Sequence, residues 1–369
     1  MTRLRFAPIP DALPASVPFT GPETLERRRG AAFRARLGAN ENGFGPSPRA
    51  VEAMARAAGE VWKYGDPDSH DLREALAAYH GINPANIILG EGIDGLLGLL
   101  VRLTVAPGET VVTSEGAYPT FNYHVAGFGG RLHKVPYRDD AEDPEALLEA
   151  ARQTGARLVY FANPDNPMGS WHPGATVAAM LDRFPEGTLL VLDEAYAEFA
   201  PDDAIPRIDP EDERVIRFRT FSKAYAMAGA RIGYAIGPRP LIAGFDRIRN
   251  HFGINRIAQI GALAALADGD WLARTRENVA EARSRIAEIA RANGLHALPS
   301  ATNFVAIDCG HDGAFARRVL AALESRGIFA RMPGTAPMDR CIRISCGPAA
   351  ELDILAEELP LALARARER

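Results

Sequence analysis

Lys223 stands in a Ser-Lys step within residues 220–234, TFSKAYAMAGARIGY, directly after the apolar run 215–221. Arg231 follows eight residues later, flanked by Gly229 and Gly233. A buried lysine is costly unless its charge is neutralised or chemically used. One economical use is a Schiff base to an aldehyde cofactor, with Arg231 and neighbouring hydroxyls holding that cofactor's phosphate. The plain alternative is a surface Lys and Arg bracketing an ordinary loop.

Three further segments carry polar groups suited to the same chemistry. Asn163-Pro164-Asp165-Asn166-Pro167-Met168-Gly169 follows the apolar run 158–162. Asp193-Glu194-Ala195-Tyr196 closes the run 188–192. Gly90-Glu91-Gly92-Ile93-Asp94-Gly95 follows the run 86–89 and opens an apolar helix. Each group thus stands at the carboxyl end of an expected strand, where open α/β sheets collect their ligands. Taken singly, Asn166 reads as a turn residue, Asp193 as a strand-end cap, and Tyr118 and Tyr196 as packing. In series with Lys223 and Arg231, they read as one site.

The elements that must position these groups show as an alternation. Strand patterns at 86–89, 110–114, 131–137, 158–162, 189–192, 215–221 and 231–236 are separated by helical stretches. Such alternation argues for a mostly parallel sheet covered by helices. Helices are expected at 22–29, from 45 to 59, and at 69–79, the last capped by Ser69 with Asp71 in its first turn. A long helical region after Asp246 includes 271–292, and the tail mixes short strands (304–308 and 341–345) with two helices. We therefore expect an N-terminal arm at 1–39 that packs with the small domain, a large domain at 40–270 and a small α+β domain at 271–369.

Composition narrows the function classes. With 369 residues, 47% hydrophobic and 24% charged, the chain reads as globular, with two domains. A net charge of −5 points to neither a nucleic-acid partner nor an anionic membrane, and Arg27-Arg28-Arg29 reads as a solvated helix face. No run approaches the roughly 18 to 20 apolar residues of a membrane span. Prolines 8, 10, 14 and 18 break any signal-peptide core. Cys309, Cys341 and Cys346 lack C-x-x-C spacing, so a cytoplasmic protein with reduced thiols is expected. The eight histidines are scattered without paired ligand spacing, and no metal is expected.

From about residue 40 to 347 the chain resembles the histidinol-phosphate aminotransferase branch of the fold-type I pyridoxal-phosphate aminotransferases. The carrying residues are Ala39-Asn40-Glu41-Asn42, Tyr64-Gly65-Asp66-Pro67-Asp68, the Gly92 loop, 163–169, 193–196, 220–234 and Cys341-Ile342-Arg343-Ile344-Ser345. The resemblance implies an α/β fold with a mostly parallel seven-stranded sheet, helices on both faces, and a smaller α+β domain. It implies pyridoxal 5′-phosphate on Lys223, a ring-nitrogen partner in Asp193, and contacts to the ring's phenolic oxygen from Asn166 and Tyr196. Lys223, Asp193 and Tyr196 are the implied catalytic groups. Tyr118 would stack on the ring, and Gly92, Ile93, Thr220, Ser222 and Arg231 would hold the phosphate. Tyr64 matches a residue that reaches the cofactor phosphate of the neighbouring subunit, so a homodimer with shared active sites is expected. The substrates implied are a small-molecule amino donor and a 2-oxo acid, with histidinol phosphate and 2-oxoglutarate as the leading pair.

Two arginines are expected to face the substrate: Arg331 at the end of 327–331 and Arg343 in a short strand pattern. Guanidinium groups bind carboxylate or phosphate in bidentate fashion. Asn40 and Phe19 are further expected substrate contacts. The chain departs from its branch at three points. Asn40-Glu41-Asn42-Gly43 stands for the usual N-E-N-P, Phe19 for a tyrosine, and Met168 for a threonine. Lost hydroxyls weaken discrimination, and they bring in an aromatic or other amino-acid aminotransferase, or a phosphoamino-acid decarboxylase. A different class is also legible: Gly90-x-Gly92-x-x-Gly95 is the dinucleotide fingerprint of an NAD-dependent dehydrogenase, with Glu109 or Glu115 as its acid. Some 85 residues precede it, however, and that reading leaves Asn166, Asp193, Lys223 and Arg231 unused.

Overall fold

A computed structural model describes residues 5–15 and 19–368. Among these residues the strands, in chain order, are β1 (Ala35–Arg36), β2 (Ile87–Gly90), β3 (Thr110–Ser114), β4 (Arg131–Val135), β5 (Leu158–Ala162), β6 (Leu189–Asp193), β7 (Val215–Thr220), β8 (Gly233–Ile236), β9 (His296–Ala297), β10 (Phe304–Asp308), β11 (Ile328–Phe329) and β12 (Cys341–Ser345). Seven of them form the large sheet in the order β2-β8-β7-β6-β5-β3-β4. Only β8 runs against its neighbours, β2 and β7. The carboxyl ends of β2, β3, β5, β6 and β7 therefore open on one edge of the sheet, and the segments 90–95, 163–169, 193–196 and 220–234 stand at the ends of β2, β5, β6 and β7.

The strand sequences explain their places. β5 and β6, LVYFA and LLVLD, are buried at every position, as central strands covered on both faces must be. β4, RLHKV, is mostly exposed and forms the far edge. It ends at Val135 because Pro136 offers no N–H to extend a ladder, two residues short of the expected 131–137. One face of the sheet packs against the helices Gly92–Thr104 and Pro119–Gly127, where Phe121 stacks on Tyr160 with centroids 4.7 Å apart. The other is covered by Pro144–Thr154 and Gly174–Leu181.

A second, antiparallel sheet, β12-β10-β9, follows the 24-residue helix Gly269–Ala292 and packs with Gly313–Ser325 and Ala349–Arg367. β1 of the arm pairs in parallel with β11. Among the described residues no helix is long and apolar enough to cross a membrane.

Three local expectations need correction. The helix expected from 45 starts at Pro48, with the Ser47 hydroxyl accepting from the Arg49 and Ala50 amides. Prolines 46 and 48 hold their preceding residues out of helical geometry. Ser69 does not cap the helix His70–His80 with its side chain. It sits in the left-handed region (φ 46°), and Asp66 takes the capping role, accepting from the His70 amide at 2.7 Å and the Asp68 amide at 3.1 Å. Arg231 does not begin a strand: it is left-handed (φ 54°), and β8 starts at Gly233.

Candidate active site

A cavity of about 610 Å³ opens where the strand ends meet the small unit and the arm. It is lined by Phe19, Asn40, Ile93, Tyr118, Asn166, Asp193, Tyr196, Thr220, Ser222, Lys223, Arg231, Arg331 and Arg343, thirteen of the fifteen residues singled out in the sequence. Gly92 stands just behind it. Tyr64 is 76% exposed and lies against Phe252, ring centroids 4.7 Å apart, outside this chain's cavity.

The inner end is built on strand termini. β6 ends at Asp193, Glu194 follows, and alternation along the chain sends the two carboxylates to different surroundings. Glu194 turns from the cavity and is neutralised by Arg217 at 2.9 Å and Arg219 at 3.0 Å, which hold its carboxyl below the usual range despite burial. Asp193 faces the cavity. It accepts from the Tyr160 hydroxyl at 2.6 Å and the Ala195 amide at 2.9 Å, and no basic side chain pairs with it among the described residues. Burial pushes Asp193 up to about 6, against those two hydrogen bonds. A buried carboxylate with no counter-ion calls for a positive donor.

Lys223 follows β7. Its Nζ donates to Asn40 O at 3.0 Å, and burial, reinforced by the Arg343 charge, brings the amine down to about 8. Asn42 Nδ2 donates to Lys223 O at 3.0 Å, so the Asn40–Asn42 turn holds both the side chain and the backbone of the lysine. Asn40 is itself left-handed (φ 53°), a conformation held by four bonds: from its amide to Ser345 Oγ, from Lys223 and Asn303 to its carbonyl, and from its side chain to Tyr196 Oη. Gly43 accounts for the missing proline of the N-E-N-P step, because a Cβ there would stand 2.9 Å from Pro348 Cδ.

A second subregion gathers hydroxyls and amides. Ser222 Oγ accepts from Thr220 Oγ1 at 2.9 Å and from Arg231 Nη1 at 3.3 Å. Gly92 starts the helix Gly92–Thr104 at φ +77°, and a Cβ on it would stand 2.4 Å from Arg231 Nη2. The backbone angle calls for glycine, and its missing side chain lets the guanidinium come close. A helix N-terminus beside an arginine and two hydroxyls is a ready site for a phosphate. The glycine fingerprint therefore opens on Arg231, at the end of the sheet's edge strand β2.

The outer end is assembled from distant segments. Arg331 and Arg343 face each other across a backbone bridge and are free of carboxylate partners among the described residues. Arg343 Nη1 donates to Asn166 Oδ1 at 2.5 Å, which leaves the amide nitrogen of Asn166 directed at Tyr196 Oη, 3.5 Å away. Arg343 Nε is buried without a partner, and burial brings this guanidinium down to about 10. Arg331 Nη2 donates to Thr20 O at 2.8 Å and lies over the rings of Phe19 and Phe329.

Four neighbours were not singled out in the sequence. Asp94 accepts from Tyr118 Oη at 2.9 Å and lies 3.5 Å from Arg231. Its place in the first turn after Gly92 was the available signal. Tyr160 is hidden inside an apolar strand, and Asn303 and Ser345 reach the site only through the small unit. Met168, in contrast, is not a cavity residue: it packs with Ala306, Met338 and Cys341, so its lost hydroxyl takes nothing from the cavity.

Comparison with known proteins places this geometry. Residues 35–359 match the model of the aminotransferase class I and II family. The chain is 36% identical over 339 residues to histidinol-phosphate aminotransferase 1 of Mesorhizobium japonicum, covering 90% of each chain. The crystal structure of histidinol-phosphate aminotransferase from Sinorhizobium meliloti, in complex with pyridoxal-5′-phosphate, is similar at 56% identity and TM-score 0.94, over 98% of both chains. An aspartate aminotransferase from Thermus thermophilus shares the fold at 24% identity and TM-score 0.81, over 98% of this chain and all of the other. The chain belongs to the class I and II aminotransferases and is an enzyme of that kind.

Proposed function

We propose that this enzyme transfers the amino group of histidinol phosphate to 2-oxoglutarate, forming glutamate, with pyridoxal 5′-phosphate as its cofactor. The observation that carries the reading is the charge layout of the cavity among the described residues: Asp193 buried without a basic partner, Lys223 in the same cavity brought down to about 8, and two guanidiniums without carboxylate partners. The names of the relatives, taken with that layout, favour a phosphorylated amino donor.

The residues present fit the cofactor. The Gly92 turn, Ile93, Thr220, Ser222 and Arg231 suit its phosphate, and Asp193 suits a protonated ring nitrogen. When bound, pyridoxal 5′-phosphate supplies an aldehyde for the amino group and a ring that accepts the electrons released at Cα. Lys223 would hold the cofactor covalently, and its Nζ, once free, would take the Cα proton. Asp193 would keep the ring nitrogen cationic, Tyr118 would cover the ring face, and Asn166 and Tyr196 would donate to its phenolic oxygen. Arg343 and Arg331 orient the donor so that its Cα–H lies over Lys223, where proximity contributes most.

A cytoplasmic two-fold dimer belongs to this reading. Tyr64, exposed and aromatic-paired on its own chain, would reach the cofactor phosphate of the neighbouring subunit. The same reading divides the chain into a large cofactor domain, 40–270, and a small one, 271–369, a division supported by the long helix that begins at Gly269. Phe19 favours the second reading, an aromatic amino-acid aminotransferase, because it offers a ring in place of a hydroxyl. A donor panel with 2-oxoglutarate, scored by glutamate formation, tests the choice. Histidinol phosphate should exceed phenylalanine in kcat/KM by roughly a hundred-fold or more; the reverse order selects the second reading.

A further inference from the structure

Two aromatic side chains form the outer mouth of the cavity. Phe19 comes from the arm and Tyr123 from the helix Pro119–Gly127, and their rings meet edge to face, centroids 6.3 Å apart. They are 41% and 47% exposed, so neither is core packing. On that helix Phe121 and Val125 turn into the core, whereas Thr120 and Tyr123, three residues apart, share the cavity face. Arg331 joins the pair, its Cζ 5.9 Å from the Phe19 ring centroid and its Nη2 bonded to the neighbouring Thr20 carbonyl. That bond occupies one of five guanidinium N–H donors, which leaves the others for an anion.

A phosphate monoester carries about −1.5 to −2 charges near neutral pH. One guanidinium leaves part of that charge unmatched, and a nearby O–H donor adds a charge-assisted hydrogen bond. Phe19 has no such donor. Tyr123, against its edge on the same cavity wall, has one.

We propose that Tyr123 supplies the hydroxyl that, with Arg331, recognises the substrate's phosphate monoester, while Phe19 holds the Tyr123 ring edge-on and narrows the entrance. The arm thus contributes a ring, and the large unit's helix contributes the polar contact. This assignment rests on the reading of the donor as a phosphate ester, and the test separates the two.

Tyr123→Phe keeps the ring and its edge contact and removes only Oη. In the holoenzyme it should lower kcat/KM for histidinol phosphate roughly ten-fold or more, mainly through KM, and leave phenylalanine within about two-fold. Adding Phe19→Tyr to that variant should restore several-fold of the loss by returning a hydroxyl to the mouth. Equal loss for both donors, or no loss, overturns the assignment. Phenyl phosphate gives a second readout, as a competitive inhibitor against whichever donor wild type accepts. Its Ki should rise roughly ten-fold in Tyr123→Phe, and an unchanged Ki overturns the assignment. Failure of wild type to use histidinol phosphate, with a raised Ki in the variant, overturns only the donor reading.

Discussion

The inner and outer ends of the cavity are built by different means. Asp193, Thr220 and Lys223 sit at or just after the ends of buried strands, and their neighbours are fixed by short hydrogen bonds within the same sheet. Phe19, Tyr123, Arg331 and Arg343 come from the arm, a helix and the small unit, and they meet through ring edges and a backbone bridge. A rigid inner end suits chemistry that is the same for every substrate, because catalytic groups must hold within fractions of an ångström. An outer end assembled from separate segments can change its ligand through single substitutions. Damage at the inner end should therefore fall on kcat for every donor, and damage at the outer end should sort donors.

The largest sortable effect is expected at Asp193. Asp193→Asn removes the negative charge that we propose faces the ring nitrogen, and kcat should fall on the order of a hundred- to a thousand-fold for histidinol phosphate and phenylalanine alike. A donor-selective loss would break the contrast between the ends. Arg331→Ala should act in the opposite manner, lowering kcat/KM for histidinol phosphate by roughly 2 to 4 kcal/mol and for phenylalanine much less. Parallel kinetics on both donors decide this, and equal losses would contradict it.

The smallest effect is a displaced pH profile. The neutral amine of Lys223 is the form that attacks an aldehyde, and burial brings its titration from 10.5 to about 8. Cofactor capture by the apoprotein, followed by absorbance, should accelerate as pH rises and level off above about 8. A rate still climbing towards pH 10 would show that the amine is not held down by burial and Arg343.

The same contrast explains what could be read from the sequence. Asn166, Asp193, Lys223 and the Gly92 turn each lie within a few residues of the end of an apolar run, so the run gives the strand and the polar segment after it gives the site. The alternation of those runs yields the seven-stranded sheet. Tyr160 was hidden because a tyrosine inside LVYFA reads as one more buried strand residue, and only its parity with Ala162 turns it towards Asp193. Asn303, Ser345 and Tyr123 depend on how distant segments fold together, which no local pattern encodes. Ser69 had the right residue type for a cap, but its left-handed backbone gave the role to Asp66, three residues earlier. Met168 occupied a motif position, yet its side chain turned into the apolar cluster of the small sheet.

The central claim is that Lys223 is the amine that carries the cofactor and moves the proton. The chain has only three lysines, Lys63, Lys134 and Lys223, and only Lys223 lines the cavity. Purified protein loaded with pyridoxal 5′-phosphate, reduced with borohydride, digested and examined by mass spectrometry should carry the pyridoxyl mass on the Lys223 peptide. Lys223→Ala should give no such adduct and no transamination. An adduct on Lys63 or Lys134, or turnover by Lys223→Ala within a few-fold of wild type, would contradict the account.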